Sequence, residues 1–261
     1  MDNALLETRN LRRHFGGVHA VQDVSFQVRS GSITAIIGPN GAGKTTLFNL
    51  IAGTVRPEAG EVLFRGRPIT AWNPHAVALA GIARTFQTTK LFGQMNVLEN
   101  VMVGRHCRTC SGFLAGMLNL PRTWQEERQI KKVALTILED LDLGSHALES
   151  AASLPFGRQR LVEFARALAT EPLLLMLDEP AAGLNVRETE DLAGLILKIR
   201  DRGITCLVVE HDMSLVMAVS DEVIVLDQGR KIAEGPPRVI QRHPEVIRIY
   251  LGEDHAQTPE S

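Results

Sequence analysis

The run Gly38-Pro39-Asn40-Gly41-Ala42-Gly43-Lys44-Thr45 constrains this chain more than any other stretch, because it is a complete G-x-x-x-x-G-K-T loop. The apolar segment 33–37 leads in as a buried strand, and the segment 46–51 leads out as a helix. A strand that turns through glycines into a helix curls its backbone N–H groups into a nest for phosphate oxygens. The helix N-terminus adds the positive end of its dipole. Lys44 then reaches the β- and γ-phosphates, and the Thr45 hydroxyl is placed to ligate Mg²⁺. The loop predicts nucleotide binding; what the nucleotide drives has to be read elsewhere.

A chain of 261 residues is long enough for one large or two modest domains with a sizeable core. Its 44% hydrophobic and 22% charged residues are ordinary for a folded soluble protein. A formal charge of −2 supplies no field to attract nucleic acid, so no nucleic-acid partner is expected. No apolar stretch approaches the ~20 residues that span a bilayer. The first residues, Met1 to Glu7, lack the basic and apolar regions of a signal peptide. The expected location is therefore the cytosol, unless a partner holds the protein at a membrane. Cys107 and Cys110 form a lone C-x-x-C; with no second ligand pair at zinc spacing, they and Cys206 read as incidental thiols.

The segments 5–9 and 24–28 alternate as short strands, and 60–66 is a strand between turn signals. A small antiparallel sheet is thus expected beside the phosphate loop. From about Asn96 to Ala169 the pattern turns helical: Ile130, Val133, Ala134, Ile137, Leu138 and Leu141 share one face, and Leu161, Phe164, Ala165 and Leu168 share another. Solid apolar strands follow at 173–177, 205–209 and 223–226, with a helix carrying Leu192, Leu195, Ile196 and Ile199 between the first two. Unalternating strands separated by amphipathic helices imply a mostly parallel sheet covered on both faces. The expected class is α/β. Four regions are expected: 1–87, the antiparallel β subdomain and first part of the nucleotide-binding core; 88–160, a helical subdomain; 161–235, the second part of the core; and 236–261, C-terminal helices with a polar tail.

Other residues fit phosphate chemistry. Leu177-Asp178-Glu179-Pro180 puts two carboxylates where a buried strand ends, which is where open α/β sheets bind ligands. Asp178 is placed to hold Mg²⁺, directly or through water, and Glu179 to polarise a water for in-line attack on the γ-phosphate. His211, past the mouth of another strand, is a candidate to bond the γ-phosphate or orient the water; a structural histidine is the alternative. Gln87 ends another apolar element and is a candidate contact for Mg²⁺ or the attacking water. Leu154 to Arg160 carries Gly157 in a turn before a helix, either a second anion site or a plain turn.

In this order the motifs resemble those of an ATP-binding cassette (ABC) ATPase over nearly the whole chain. Residues 38–46, including Thr46, match Walker A; Gln87 matches the Q-loop, 154–159 the signature motif and 173–179 Walker B. Ala182-Gly183-Leu184-Asn185 matches the D-loop, His211 the switch histidine, and Phe15 the aromatic residue that stacks on adenine. The runs 175–185, 209–217 and 243–252 further resemble an ATPase subunit of the branched-chain amino acid importers. The resemblance implies a P-loop (RecA-like) core, ATP and Mg²⁺, and ATP held between Walker A of one subunit and Gly157 and Arg158 of another. It implies as partners a second ATPase subunit in a homo- or heterodimer, two permease subunits and, indirectly, an external binding protein. It also implies a place on the cytoplasmic face of the cell membrane.

The general signature of the family is Leu-Ser-Gly-Gly-Gln. Here Pro155 and Phe156 replace Ser and Gly, and Arg158 replaces Gln, which leaves the phosphate contact to the Gly157 N–H, the helix dipole and Arg158. Leu91-Phe92 and the segment 113–118 are apolar within polar connections, as a groove for a permease helix or as small satellite cores. Alternatives within the resemblance are a urea or amide importer, a lipid-type exporter, and a remodelling ATPase without membrane partners.

Overall fold

The computed structural model describes residues 4–85, 91–106 and 121–254, with the side chains at 106, 121–124 and 251–254 left aside. The chain divides into two compact units, Met1–Val77 with Met176–Ser261, and Ala78–Leu175. The second unit is therefore an insertion in the sequence of the first.

The first unit opens with two long strands, β1 (Ala4–Phe15) and β2 (Val18–Arg29), paired antiparallel from Ala4↔Arg29 to Phe15↔Val18. The hairpin is longer than the segments 5–9 and 24–28 suggest, because bulges interrupt its alternation after Thr8 and Leu11. Asn10 and Asp23 take the left-handed backbone that such bulges need. Leu6, Leu11, Val21, Val24, Phe26 and Val28 line the buried side. With β4 (Ala59–Phe64) and β5 (Arg67–Pro68) the strands form a sheet in the order β2-β1-β4-β5.

The core sheet of this unit contains β3 (Ile33–Ile37), β7 (Leu174–Asp178), β8 (Thr205–Val209), β9 (Glu222–Asp227) and β10 (Arg230–Gly235), in the order β10-β9-β3-β8-β7. The boundary between the units falls inside β7. β3 pairs parallel with both β8 and β9, and β10 closes antiparallel on β9. Every residue of β3, β7 and β8 is buried, which explains why these strands read as solid apolar runs. Each fully buried Leu, Ile or Val contributes roughly 1.5–3 kcal/mol.

Helix α1 (Lys44–Ile51) follows the phosphate loop and buries Leu47, Phe48, Leu50 and Ile51. The short helix α2 (Pro74–Ala80) crosses the boundary between the units. The helical insertion holds β6 (Ile82–Arg84) and the helices α3 (Val97–His106), α4 (Pro121–Asp140) and α5 (Phe156–Leu168). Asn96 caps α3 with a reciprocal pair: its side chain accepts from Glu99 N–H, and Glu99 accepts from Asn96 N–H, each at 2.8 Å. At Gly104 a Cβ would lie 2.1 Å from the Arg166 carbonyl, so this glycine lets α3 and α5 approach backbone to backbone.

Back in the first unit, α6 (Val186–Asp201) follows β7, α7 (Met213–Val219) follows β8, and α8 (Pro237–Ile240) and α9 (Pro244–Asp254) end the described chain. Ile240 of α8 and Val246 of α9 join Ala35, Ile37, Val216, Val223 and Val225 in one core cluster, with Met213, Met217 and Tyr250 packed on it. The C-terminal helices thus belong to the body of the unit.

Candidate active site

The phosphate loop leaves β3 through backbone angles that only glycine adopts comfortably: φ is +150° at Gly38, +80° at Gly41 and +100° at Gly43. At two of these the space is closed as well. A Cβ on Gly38 would meet the Leu226 carbonyl at 2.1 Å, and one on Gly43 the Ala20 carbonyl at 2.1 Å. The loop is braced from behind. Ala42 accepts from Gly229 N–H at 3.0 Å, and Gly229, in the β9–β10 turn, accepts from Gln22 N–H of β2 at 2.7 Å.

Gly43 is the N-cap of α1 and no side chain caps that end. Its carbonyl accepts from Leu47 N–H at 2.9 Å, so the N–H groups at the start of α1 precede its first intrahelical bond, the position at which helices bind anions. Pro39, Asn40, Gly41 and Ala42 form the arch, with Ala42 N–H closing onto the Pro39 carbonyl at 3.1 Å. The buried Lys44 ammonium donates to the carbonyls of Gly38 at 2.6 Å and Pro39 at 2.9 Å. A phosphate oxygen competes with those two carbonyls for the ammonium. Thr45 is exposed and Thr46 half-buried at the start of α1.

The candidate acidic and imidazole groups Asp178, Glu179 and His211 stand at the same edge of the sheet. Ile36 of β3 pairs with Val209 of β8, and Glu210 N–H donates to the Ile36 carbonyl at 3.3 Å. Glu179 N–H, just past β7, donates to the Val209 carbonyl at 2.9 Å. The carboxyl ends of β3, β8 and β7 are thereby level, which brings the phosphate loop, His211 and the Asp178–Glu179 pair to one crevice. Asp178 is 3% exposed, Glu179 half-buried, and the His211 side chain well exposed. Glu179 has φ +47°, a left-handed backbone unusual for a residue with a Cβ.

Glu210 is wholly buried, and its carboxylate accepts three backbone N–H groups: Ala181 at 2.8 Å on Oε1, and His211 at 2.9 Å and Asp212 at 3.2 Å on Oε2. Asp212 caps α7, accepting from Ser214 N–H at 2.8 Å, the Ser214 hydroxyl at 2.5 Å and Leu215 N–H at 3.3 Å. The Ser214 hydroxyl chiefly, and then the Leu215 and Ser214 amides and the nearby His211, hold this carboxyl below the usual aspartate range against the opposing effect of burial. The D-loop segment ends at Asn185, the N-cap of α6, in a capping box with Glu188 at 3.0 Å in each direction. An asparagine where the family pattern commonly has aspartate serves that cap equally well.

Phe15 ends β1 with its ring 47% exposed, and the Arg13 guanidinium lies 4.6 Å over the ring centroid. Arg13 is itself held by the Arg56 carbonyl at 3.3 Å and Glu58 at 3.5 Å.

In the helical unit, the turn around Gly157 takes a more specific form than the sequence suggests. Pro155 is the N-cap of α5, and Phe156, Gly157 and Arg158 are already its first turn. An N-cap contributes its carbonyl, here accepting from Gln159 N–H at 3.0 Å, and of the N–H groups that precede the first intrahelical bond proline lacks only the one at the N-cap itself. The proline therefore removes a hydroxyl but leaves the helix-start amides in place. Gln159 Nε2 donates back to the Leu154 carbonyl at 2.9 Å, and the exposed Phe156 ring lies under the Arg160 guanidinium at 5.5 Å. Arg158 is exposed. Gln87, Cys107, Cys110 and the segment 113–118 lie outside the described residues; Leu91 is half-buried and Phe92 exposed, the latter 5.6 Å from the Arg166 guanidinium. Cys206 is buried in β8, and burial pushes its thiol up to about 12, which makes it inert.

Sequence reasoning gave no role to Glu210, Arg13 or Gly229. A glutamate after an apolar strand looks like a solvent-facing turn residue, and only the converging amides reveal an internal carboxylate.

Comparisons with known proteins agree on one family. Residues 21–182 match the family model described as ABC transporter, and residues 230–256 match that of the branched-chain amino acid ATP-binding cassette transporters. The chain is 43% identical over 254 residues to the high-affinity branched-chain amino acid transport ATP-binding protein BraF of Pseudomonas aeruginosa, covering 97% of this chain and 100% of that one. It is 42% identical, with the same coverage, to LivG of Escherichia coli K12, which carries the same description. Among solved structures it resembles the ADP conformation of MJ1267, an ATP-binding cassette of an ABC transporter, with a TM-score of 0.84, 35% identity and coverage of 95% and 99%. A second solved structure, cbiO1 of Clostridium perfringens, described as part of the ABC transporter complex cbiONQ, gives a TM-score of 0.79 at 28% identity over 98% and 96% of the chains.

Proposed function

This chain belongs to the ABC transporter ATP-binding proteins and hydrolyses ATP, and we propose that it powers the import of branched-chain amino acids through partner permeases. The observation that carries the site is the level alignment of three strand ends. The phosphate loop follows β3, Asp178 and Glu179 close β7, and His211 follows β8. The importer assignment rests on the similarity to BraF and LivG over almost the whole chain, and on the match of residues 230–256 to a model specific to that transporter group.

In this reading the amides of Asn40, Gly41 and Gly43 and the start of α1 cradle the phosphates, and Lys44 exchanges the Gly38 and Pro39 carbonyls for phosphate oxygens. Phe15 stacks on adenine. Glu179 accepts the proton of the attacking water, and His211 bonds the γ-phosphate. Catalysis comes from positioning and charge. The Thr45 hydroxyl and the Asp178 carboxylate are hard oxygen donors of the kind Mg²⁺ takes, with Gln87 as the third candidate. When bound, the ion neutralises charge on the phosphate oxygens.

The amides at the start of α5, with Gly157 and Arg158, complete the site of a second ATPase subunit. Two permeases and an external binding protein are the further partners. Among the described residues no helix is long and apolar enough to cross a membrane. Attachment at the cytoplasmic face through permeases accommodates that.

The test is reconstitution in vesicles with permeases and a binding protein of a branched-chain amino acid importer. ATP-dependent uptake of labelled leucine, isoleucine and valine is expected, and its loss in Glu179→Gln. Uptake of urea or an amide alone, or export of a lipid, would move the chain to another branch of the family.

A further inference from the structure

We propose that Glu210 is a positioning residue that yokes the D-loop to His211, so that the imidazole at the γ-phosphate and the segment 181–185 move as one. This inference rests on the reading of His211 as a nucleotide contact.

The bonding of residues 179–181 leaves one attachment point for the yoke. Glu179 N–H is used on the Val209 carbonyl, and Pro180 has no N–H. Ala181 N–H is the next donor, and it goes to Glu210 Oε1 at 2.8 Å. Beyond it the loop folds on itself, with Ala182 N–H on the Glu179 carbonyl at 3.1 Å and Leu184 N–H on the Ala181 carbonyl at 3.0 Å. Ala181 is thus the hinge point from which the segment ending at Asn185 hangs.

The other oxygen of the same carboxylate holds the backbone of the switch. Oε2 accepts from His211 N–H at 2.9 Å and Asp212 N–H at 3.2 Å, and His211 Nδ1 lies 3.8 Å from it. Rotating Glu210 to follow one loop therefore drags the other.

The chemistry of the pocket selects a carboxylate. A carboxylate taken fully out of water needs hydrogen-bond partners on its oxygens. An ionised carboxylate accepts at both oxygens and donates nothing, which suits three converging donors. A glutamine of the same shape would turn an NH₂ toward either Ala181 or the His211–Asp212 pair, and that bond would become a donor–donor clash. Glu210 touches no reacting atom in this arrangement; it acts through His211 and through Ala181.

The experiment measures ATP turnover in the assembled transporter for wild type, Glu210→Gln, Glu210→Asp, His211→Ala and the double variant Glu210→Gln/His211→Ala. Native amide hydrogen exchange is followed on the purified full chain. Glu210→Gln is expected to lower kcat by about 10- to 100-fold, the scale of a misplaced catalytic group. KM and the Kd for nucleotide should stay within about twofold, because the phosphate loop is braced by Gly229 and Gln22 instead. In the His211→Ala background the same substitution should add nothing. Glu210→Asp, which keeps an acceptor-only group with shorter reach, should recover part of kcat. Exchange at Ala181, His211 and Asp212 should accelerate together. An unchanged kcat in Glu210→Gln overturns the inference, as does an equal loss in both backgrounds, absence of rescue by Asp, or faster exchange at one loop alone. Wild-type turnover in His211→Ala overturns the reading of His211 itself, and the yoke with it; that result is distinct from a silent Glu210→Gln beside an inactive His211→Ala.

Discussion

Glu179 is held to Val209 by a 2.9 Å bond from its N–H to the Val209 carbonyl, and at that position its backbone is left-handed, with φ +47°. A strand that ended there in the ordinary extended conformation would send the side chain elsewhere. The bond across to β8 fixes the turn, and the turn aims the glutamate. Backbone strain of about 1–2 kcal/mol at such a residue is retained where the side chain has a task.

The first prediction separates that task from stability. Glu179→Gln is expected to bind ATP as wild type does and to lose about 100- to 10,000-fold in turnover, the range for a positioned general base. Glu179→Gly should be equally inactive yet melt no lower than wild type, because glycine takes φ +47° without penalty. Thermal melts beside turnover in the assembled transporter check both; a glycine variant that melts well below wild type would show that the left-handed backbone carries no strain.

The phosphate loop offers a steric contrast. At Gly43 a Cβ would lie 2.1 Å from the Ala20 carbonyl, whereas at Gly41 it would meet open space. Gly43→Ala should abolish nucleotide binding and lower the melting temperature. Gly41→Ala carries only the left-handed strain and should retain measurable binding. Titration with a fluorescent ATP analogue distinguishes the two, and equal loss in both variants would locate the constraint in backbone angle alone.

How far the sequence foretold this arrangement depended on what each residue's neighbours contribute. The parallel core was legible because β3, β7 and β8 are buried along their whole length and so leave unbroken apolar runs. The phosphate loop was legible because its glycines satisfy local backbone demands. The length of the β1–β2 hairpin was hidden by bulges near Asn10 and Asp23, where two-residue periodicity fails. Pro155 read only as the loss of a hydroxyl and an N–H from the signature turn, and its place as the N-cap of α5, ahead of the first-turn amides, is set by the helix. Glu210 stayed silent because its partner Ala181 is distant in sequence and all three of its partners bond it through backbone N–H groups.

Phe15 carries a prediction about nucleotide affinity. Stacking of a base on an aromatic ring is worth roughly 1–3 kcal/mol, so Phe15→Leu should raise the Kd for ATP by about tenfold or more and leave kcat at saturating ATP nearly unchanged. The Arg13 guanidinium 4.6 Å over the ring holds it from one side, so Arg13→Met should weaken binding less than loss of the ring does. An effect of Phe15→Leu on kcat alone would remove the ring from the adenine contact.

Asp212 gives the pH dependence its sign. Its carboxyl is held below the usual aspartate range, first by the Ser214 hydroxyl and then by the Leu215 and Ser214 amides at the start of α7. A group whose folded value is depressed adds stability that is full above its unfolded value, near ~3.9, and is lost as pH falls through the folded value. Asp212→Ala removes the cap and should cost about 1 kcal/mol near neutral pH. The difference from wild type should shrink as the solution is acidified below about pH 4. Asp212→Asn keeps a neutral cap and should therefore sit between the two at neutral pH and converge on wild type in acid. Melting temperatures of the three proteins across that range decide it: a wild-type advantage over Asp212→Ala that persists undiminished in acid would mean that the cap does not depend on the ionised carboxylate.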